Sequence, residues 1–335
     1  MRNLTVNLIS ESPYFPKEHG VHTAFLNIAE MLKNKGVKVM VNSPKKADIT
    51  HIHTVGPLAW YKLLTSKNTL VSAHIIPPSF VGSIVLSKYW LPEAAAYLKF
   101  FYNQADLVLA VSETVKRELQ KIGVSKPLEV LPNPINNKIF KRDQNLKREG
   151  RKLLGLKEDD FVVLGVGQIQ PRKGIETFIE VARNLPRFQF FWVGGRPIKN
   201  LTAGTKKLDR LIEEKPKNLH FTKEIPYEQM PRYYNLADVF FFPSYQETQG
   251  LVVIEAAAVG LPLVLRNLPE YRLLYKKGYL AGTDKDFTAM ISKLATDKDY
   301  YLQCSEGAKS LSTKFTFDIL GDKLIQLYQS LLKQP

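Results

Sequence analysis

The strongest constraint on this chain is a rhythm of short apolar runs alternating with amphipathic stretches, interrupted once near the middle. In the first half, Leu4–Ser10, Val37–Val41, Thr69–Ala73, Leu107–Val111 and Leu128–Leu131 read as strands. Thr23–Lys35 reads as a helix, with Phe25, Ile28, Ala29 and Leu32 on one face and Gly36 just past its end. Thr114–Ile122 reads as another, closed by Gly123. Strands that are apolar throughout, with helices between them, need cover on both faces, which points to a parallel α/β sheet. Lys138–Lys152 breaks the rhythm. It is rich in charge, lacks a clear period and reads as an interdomain linker. A second series follows, with strands at Phe161–Gly167, Phe188–Val193, Leu219–Thr222, Val239–Phe242 and Leu261–Leu265. Its helices read as Ile175–Asn184, a stretch around Leu208–Glu214, Tyr227–Leu236 and Leu251–Val259. The economical architecture is two doubly wound α/β domains, for which 335 residues suffice. In such sheets ligands sit at the carboxyl ends of strands, and two facing sheets would form a cleft.

Charge narrows the partners. Lys plus Arg number 47 and Asp plus Glu 32, a net charge of +15. That excess predicts an acidic partner: nucleic acid, an anionic membrane or a phosphorylated ligand. Helix-turn-helix, zinc-finger and RNP patterns are absent from the sequence, so nucleic acid ranks last. A single cysteine, Cys304, excludes a disulfide framework and a cysteine-based zinc cage. The opening MRNLTVNLISESPYFP breaks too early for a signal peptide, and no stretch approaches the roughly 18 apolar residues of a membrane span. The expectation is a cytoplasmic chain able to lie on a membrane surface.

Two loops carry candidate chemistry. Glu247 and Glu255 stand eight positions apart in ETQGLVVIE, after the strand Val239–Phe242. Gly250 opens the helix that contains Glu255. Helix starts offer unpaired N–H groups and partial positive charge, which suits a phosphate. Glu247, in the loop, and Glu255, further down the helix, could each bind sugar hydroxyls; taken alone, they could equally be unrelated surface carboxylates. Gly165-Val-Gly-Gln-Ile-Gln-Pro-Arg-Lys-Gly174 follows another strand and opens another helix, bringing Arg172 and Lys173 to the same crevice. Taken alone, it is a strand-to-helix loop with solvated charges, and its spacing is neither a P-loop nor a dinucleotide fingerprint.

The two loops together resemble the family 4 retaining glycosyltransferases: GQIQPRKG is followed at the family's usual distance by ETQGLVVIEAAAVGLPLV. The similarity extends through HGVHTAFLNIAEMLKNKGVKV, LVSAH, ADLVLAVSE and LEVLPNPIN to nearly the whole chain. VGQIQPRKG, FFWVGG and LRNLPEY further resemble bacterial enzymes that add a second hexose to α-glucosyl diacylglycerol. The resemblance implies the GT-B fold, two facing Rossmann-like domains with a cleft between them. It implies an acceptor and membrane-facing domain at 1–145, a nucleotide-sugar domain at 146–315, and a C-terminal helix at 316–335 returning toward the first. The implied reaction moves glucose or galactose from UDP-glucose or UDP-galactose to a glycolipid at the inner face of the plasma membrane, with no cofactor or essential metal. Variants would use diacylglycerol itself, or a polyprenyl-linked or soluble glycan. A catalytically dead nucleotide-sugar-binding module is the other class.

Carried over by motif, Lys173 contacts the donor diphosphate, Glu247 lies near the donor sugar, Glu255 binds the ribose and His74 helps to hold the transferring sugar. Gly20 belongs to the loop that approaches the phosphates, and the backbone of Gly250, Leu251 and Val252 meets the diphosphate. The sequence departs from the family at Gln168, where many members carry Arg, leaving Arg172 as the nearby substitute. It departs also at His19-Gly20, where paired glycines are usual, and at Asn133-Pro134, where Asn-Gly is usual. His22, His51, His53 and His220 read as structural. Asp284, Asp286, Asp297 and Asp299 read as solvated turn and helix-end charges rather than metal ligands.

Residues 80–102 hold seven aromatics among 23 positions, against 11% in the whole chain, so the segment asks for its own explanation. Pro92 could open a helix in which Ala94, Tyr97, Leu98 and Phe101 share a face. With Lys88 and Lys99 beside Trp90 and Phe101, this is the expected membrane and acceptor face. An aromatic stripe at helical spacing also suits a buried core. Trp60, Leu63 and Leu64, with Lys62 and Lys67, form a second small amphipathic stretch.

Overall fold

The computed structural model describes residues 4–14, 20–80, 90–196 and 205–333. The chain divides into two compact units. One comprises residues up to Asn136 together with Phe315 onward, and the other is essentially Asn137–Lys314.

The first unit is built on strands β1 (Thr5–Ile9), β2 (Lys38–Val41), β3 (Ile49–Ile52), β4 (Thr69–Ala73), β5 (Leu107–Ala110) and β6 (Leu128–Val130). They form one parallel sheet in the order β2-β1-β3-β4-β5-β6. Helices α1 (Gly20–Asn34), α2 (Pro57–Thr65), α3 (Leu91–Tyr102) and α4 (Glu113–Lys121) connect them. The strand order reverses direction at β1, and right-handed crossovers on either side of that reversal put helices on opposite faces. Strands covered on both faces are withdrawn from water along their length, and β3, β4 and β5 are buried at every position.

The second unit repeats the plan. Helix α5 (Gln144–Leu153) precedes β7 (Val162–Val166), α6 (Ile175–Asn184), β8 (Gln189–Val193), α7 (Thr205–Glu213), β9 (Leu219–Phe221), α8 (Met230–Leu236) and β10 (Val239–Phe242). Then come α9 (Leu251–Val259), β11 (Leu263–Arg266), α10 (Pro269–Leu274), β12 (Leu280–Gly282), α11 (Phe287–Thr296) and α12 (Lys298–Ser312). The parallel sheet runs β12-β11-β10-β7-β8-β9. Its reversal falls between β7 and β10, whose carboxyl-end loops are therefore brought side by side.

The linker reading of Lys138–Lys152 is corrected. Residues 144–153 are helix α5, capped by the Asp143 side chain on the N–H groups of Asn145 and Leu146. Its buried face is Gly150 and Arg151 rather than an apolar stripe, so the hydrophobic period is missing. The Arg151 guanidinium donates to the carbonyls of Lys157, Glu158, Asp160 and Leu236 and pairs with Asp238 at 2.6 Å.

The last helix, α13 (Phe317–Leu331), belongs to the first unit. Lys35, just past α1, pairs with Asp322 at 2.7 Å, Lys323 donates to the Val130 carbonyl at 2.7 Å, and the Tyr328 hydroxyl meets His51 Nδ1 at 2.7 Å.

Candidate active site

In the second unit the loops after β7 and β10 meet at the strand-order reversal. Gly174 lies at φ +74°, and a Cβ there would collide with the carbonyl oxygen of Pro243, so only glycine lets the loops close. The Tyr245 N–H donates to the Arg172 carbonyl at 2.7 Å and locks the same contact. This closure aims Lys173 at Glu247. Lys173 Nζ lies 2.5 Å from Glu247 Oε1, and Ser244 Oγ donates to that oxygen at 2.7 Å. Lys173 also stands 5.2 Å from the centre of the Phe242 ring. Side-chain exposure is 12% for Lys173 and 8% for Glu247, so the pair is largely withdrawn from water. Burial lowers the Lys173 ammonium from 10.5 to about 8, aided by neighbouring Arg172 and opposed by Glu247. Burial also lowers Arg172, against the pull of Glu247.

Gly250 caps α9 in the left-handed region at φ +79°, with no side chain capping the helix start. Tyr275 fixes the approach to it by donating from its hydroxyl to the Gln249 carbonyl at 2.6 Å. Leu251 and Val252, the first helical residues, are part-buried. One turn further, Glu255 is 2% exposed. Its Oε2 accepts from Tyr234 at 2.7 Å and its Oε1 from Tyr227 at 3.1 Å. Burial nevertheless wins over both hydrogen bonds and lifts the carboxyl from 4.5 to about 7.

The family model described as Glycosyl transferases group 1 matches residues 147–311, which contain this whole constellation. That described as Glycosyltransferase Family 4 matches residues 28–138. The chain is a family 4 glycosyltransferase. It is 28% identical to the alpha-galactosylglucosyldiacylglycerol synthase of Streptococcus pneumoniae, over 98% of this chain and 90% of that one. To the processive diacylglycerol alpha-glucosyltransferase of Acholeplasma laidlawii it is 29% identical, over 98% and 99%. Among solved structures, the sucrose-phosphate synthase of Thermosynechococcus elongatus superposes with a TM-score of 0.80 at 19% identity, covering 98% of this chain and 99% of that one. Anabaena HepE, solved in complex with UDP and glucose, gives 0.78 at 16% identity, covering 98% and 100%. The fold of this glycosyltransferase is GT-B.

In the glycosyltransferase's first unit, His74 follows β4 directly and is part-buried. The Tyr102 hydroxyl, from α3, donates to the Ile75 carbonyl at 2.7 Å and ties down the segment leaving His74. His74 Nε2 lies 3.2 Å from His53 Nδ1, with the rings stacked. Burial lowers His74 from 6.5 to about 4, so its imidazole is neutral at physiological pH. Gly20 is the exposed first residue of α1.

The aromatic segment needs one correction. Phe101 is fully buried, in ring contact with Trp60, Tyr97 and Tyr102, so it belongs to the core and not to a membrane face. The exposed residues of α3 include Phe100 at 61% and Tyr97 at 41%. On α2, Tyr61 and Leu64 are exposed, and the two helices meet through Trp60, whose Nε1 donates to the Tyr97 hydroxyl at 2.8 Å. Lys99 is exposed and Trp90 stands part-buried at the start of α3. Lys88 lies outside the described residues.

Asp284 is an exposed turn residue, as read from the sequence, and it is also half of an ion pair. Arg266 reaches it at 2.6 Å, while the Arg266 Nε donates to the Pro243 carbonyl at 2.8 Å and the guanidinium stacks 3.8 Å over Tyr245. Burial pushes the Asp284 carboxyl up, but the Arg266 and Thr177 hydrogen bonds outweigh it and hold it below its usual range. Arg266 thus clamps the loop that carries Glu247. Sequence reasoning missed Arg266, Ser244, Tyr227, Tyr234 and the His53–His74 contact. The one available signal was position, since Arg266 closes a strand and Ser244 follows one, both at carboxyl ends.

Proposed function

We propose that this glycosyltransferase moves a hexose, glucose or galactose, from a UDP-sugar to α-monoglucosyl diacylglycerol at the cytoplasmic membrane surface, with retention of the anomeric configuration. The observation that carries the donor half is the buried Lys173–Glu247 pair at the strand-order reversal, close to a helix start with no side-chain cap. A cation withdrawn from water and paired with a carboxylate is expensive for stability alone, and such arrangements concentrate at functional sites. On this reading Lys173, Arg172 and the N–H groups of Leu251 and Val252 take the diphosphate. Glu247 binds the transferring sugar, Glu255 the ribose, and His74 an oxygen of the reacting hexose. The bound ligands of HepE and the names of the two relatives support a UDP-sugar donor and a glycolipid acceptor.

Chemically, the bond from the anomeric carbon to the diphosphate oxygen breaks first and leaves an oxocarbenium-like hexose. The acceptor hydroxyl attacks from the face the diphosphate has left, and its proton passes to the departing phosphate. Lys173 and the α9 start stabilise the charge growing on that oxygen. No metal is assigned a step, because these groups already supply the positive charge.

The acceptor half rests on the first unit. No helix among the described residues is long and apolar enough to cross a membrane. Tyr61, Leu64, Tyr97 and Phe100 instead present exposed apolar surface on two helices joined at Trp60, with Lys99 nearby. That composition suits a lipid interface, with the +15 charge adding attraction to anionic headgroups. The test is incubation with micelles of diacylglycerol or monoglucosyl diacylglycerol and each UDP-hexose, with product linkage and anomeric form read by NMR. Transfer to diacylglycerol alone would favour the first-sugar variant. Inversion, or transfer only to a soluble or polyprenyl-linked acceptor, would overturn the proposal.

A further inference from the structure

Three histidines share the interior beside β4. His51 satisfies both ring nitrogens, Nδ1 with the Tyr328 hydroxyl at 2.7 Å and Nε2 with Ser72 Oγ at 2.8 Å. Its ring lies 4.2 Å from that of His53. His53 is 1% exposed and is held between His51, the Phe25 ring at 5.6 Å and the stacked ring of His74. Its Nδ1 faces His74 Nε2 at 3.2 Å, and its Nε2 is buried without a hydrogen-bond partner. Burial lowers all three histidines, with the other rings adding to it for His51 and His53, so each carries one ring proton.

Two proton arrangements fit the 3.2 Å contact. In one, His74 Nε2–H donates to His53 Nδ1, which puts the His53 proton on Nε2 as a buried donor with no acceptor. In the other, His53 Nδ1–H donates to His74 Nε2, and only a lone pair is left unmet on His53. Orphaned buried N–H groups are the rarer fault in folded proteins. The second arrangement also forces His74 into the Nδ1–H form, which free neutral histidine disfavours and which must therefore be imposed.

We propose that His53 is a positioning residue for His74, donating from Nδ1–H to His74 Nε2 and so presenting His74 Nδ1–H as the donor to an oxygen of the transferred hexose. The inference rests on the reading that His74 serves the sugar. It adds what that reading lacks, a reason for one tautomer and one ring orientation. The orientation is held from behind by Phe25 and by His51, itself fixed from α13 through Tyr328.

The test joins nitrogen-15 NMR of the histidine rings at neutral pH with steady-state kinetics. Wild-type His74 is expected in the Nδ1–H form, and His53→Leu is expected to move it toward Nε2–H. His53→Leu should lower kcat by at least about tenfold, as misplacing a reacting-centre contact does, with KM for the UDP-sugar nearly unchanged. His53→Asn, whose amide nitrogen overlays Nδ1, should restore most of the loss. A wild-type His74 in the Nε2–H form overturns the proposal, and this measurement needs no variant to fold. So does wild-type kcat in folded His53→Leu when His74→Ala is inactive. Full activity in His74→Ala would instead overturn the reading that His74 serves the sugar, while the tautomer result would still stand.

Discussion

Glu255→Gln is expected to make the chain more stable at pH 8 and nearly unchanged at pH 5. Glu255 is 2% exposed, and its hydrogen bonds to Tyr234 and Tyr227 do not offset the loss of water, so its carboxyl rises from 4.5 to about 7. The sign follows from proton counts. Between 4.5 and about 7 the folded chain keeps a proton that the unfolded chain has released, so stability falls as pH rises through this window. Above it the full cost is present, about 3 kcal/mol at roughly 1.4 kcal/mol per unit. Glutamine carries no charge to desolvate. Its amide oxygen can accept from one tyrosine while its NH2 donates to the hydroxyl oxygen of the other. The gain should approach about 3 kcal/mol at pH 8 and fall below about 1 kcal/mol at pH 5. For a domain of this size that is roughly 5–10 °C in Tm at the higher pH. Thermal unfolding followed by circular dichroism at both pH values measures it directly. An equal shift at the two, or a loss at pH 8, would refute the argument that ionisation of a buried carboxyl sets the cost. On the proposed function the same substitution weakens UDP-sugar binding, which would make Glu255 a group retained for the ligand at the expense of stability.

Lys173→Ala should lower kcat by about 10²–10³-fold, the usual loss for one preorganised charge at a developing oxyanion, and should lower Tm as well, because Glu247 loses its cation. In wild type, kcat/KM for the UDP-sugar should fall above about pH 8 as the Lys173 ammonium of the free enzyme deprotonates, and a profile flat to pH 10 would count against a role for that charge. Glu247→Gln should act mainly on kcat and Glu255→Ala mainly on KM, and steady-state kinetics showing the reverse would exchange their assignments. The combined change Tyr61→Ser, Leu64→Ser and Phe100→Ser should weaken sedimentation with phosphatidylglycerol vesicles without unfolding the first unit, and undiminished binding would move the docking face elsewhere.

The sheets were legible because their strands are apolar at nearly every position, and that legibility failed where burial was achieved by other means. Strand β3 escaped the periodicity reading because Thr50 and His51 interrupt it. His51 is tolerated inside only through Tyr328, 277 positions away, and Ser72. Helix α5 looked like a linker because its inward face is Gly150 and a guanidinium spent on four carbonyls and Asp238. In α3, successive residues point about 100° apart, so neighbouring Phe100 and Phe101 meet opposite environments. At the candidate site, the loops could be read from glycine placement and from the strands preceding them. The partners of Glu255 could not, because Tyr227 and Tyr234 come from a different segment and no spacing rule connects them to α9.

The Lys173–Glu247 pair is better understood as a competition than as a brace. Exchanging a buried ion pair for apolar residues of similar volume is often neutral or stabilising, so packing alone gives no reason to keep one here. The Lys173 ammonium has Glu247 as its ion-pair partner, lies against the Phe242 ring, and is weakened by Arg172 beside it. A diphosphate at the α9 start would offer that ammonium more negative charge than one carboxylate does. Its arrival would draw Lys173 away and release Glu247, which Ser244 still holds at 2.7 Å and Arg266 steadies through the Pro243 carbonyl. On the proposed function, binding the phosphates and freeing the carboxylate that meets the sugar are then one event. Glu247 would then be occupied until the donor arrives and available once it has.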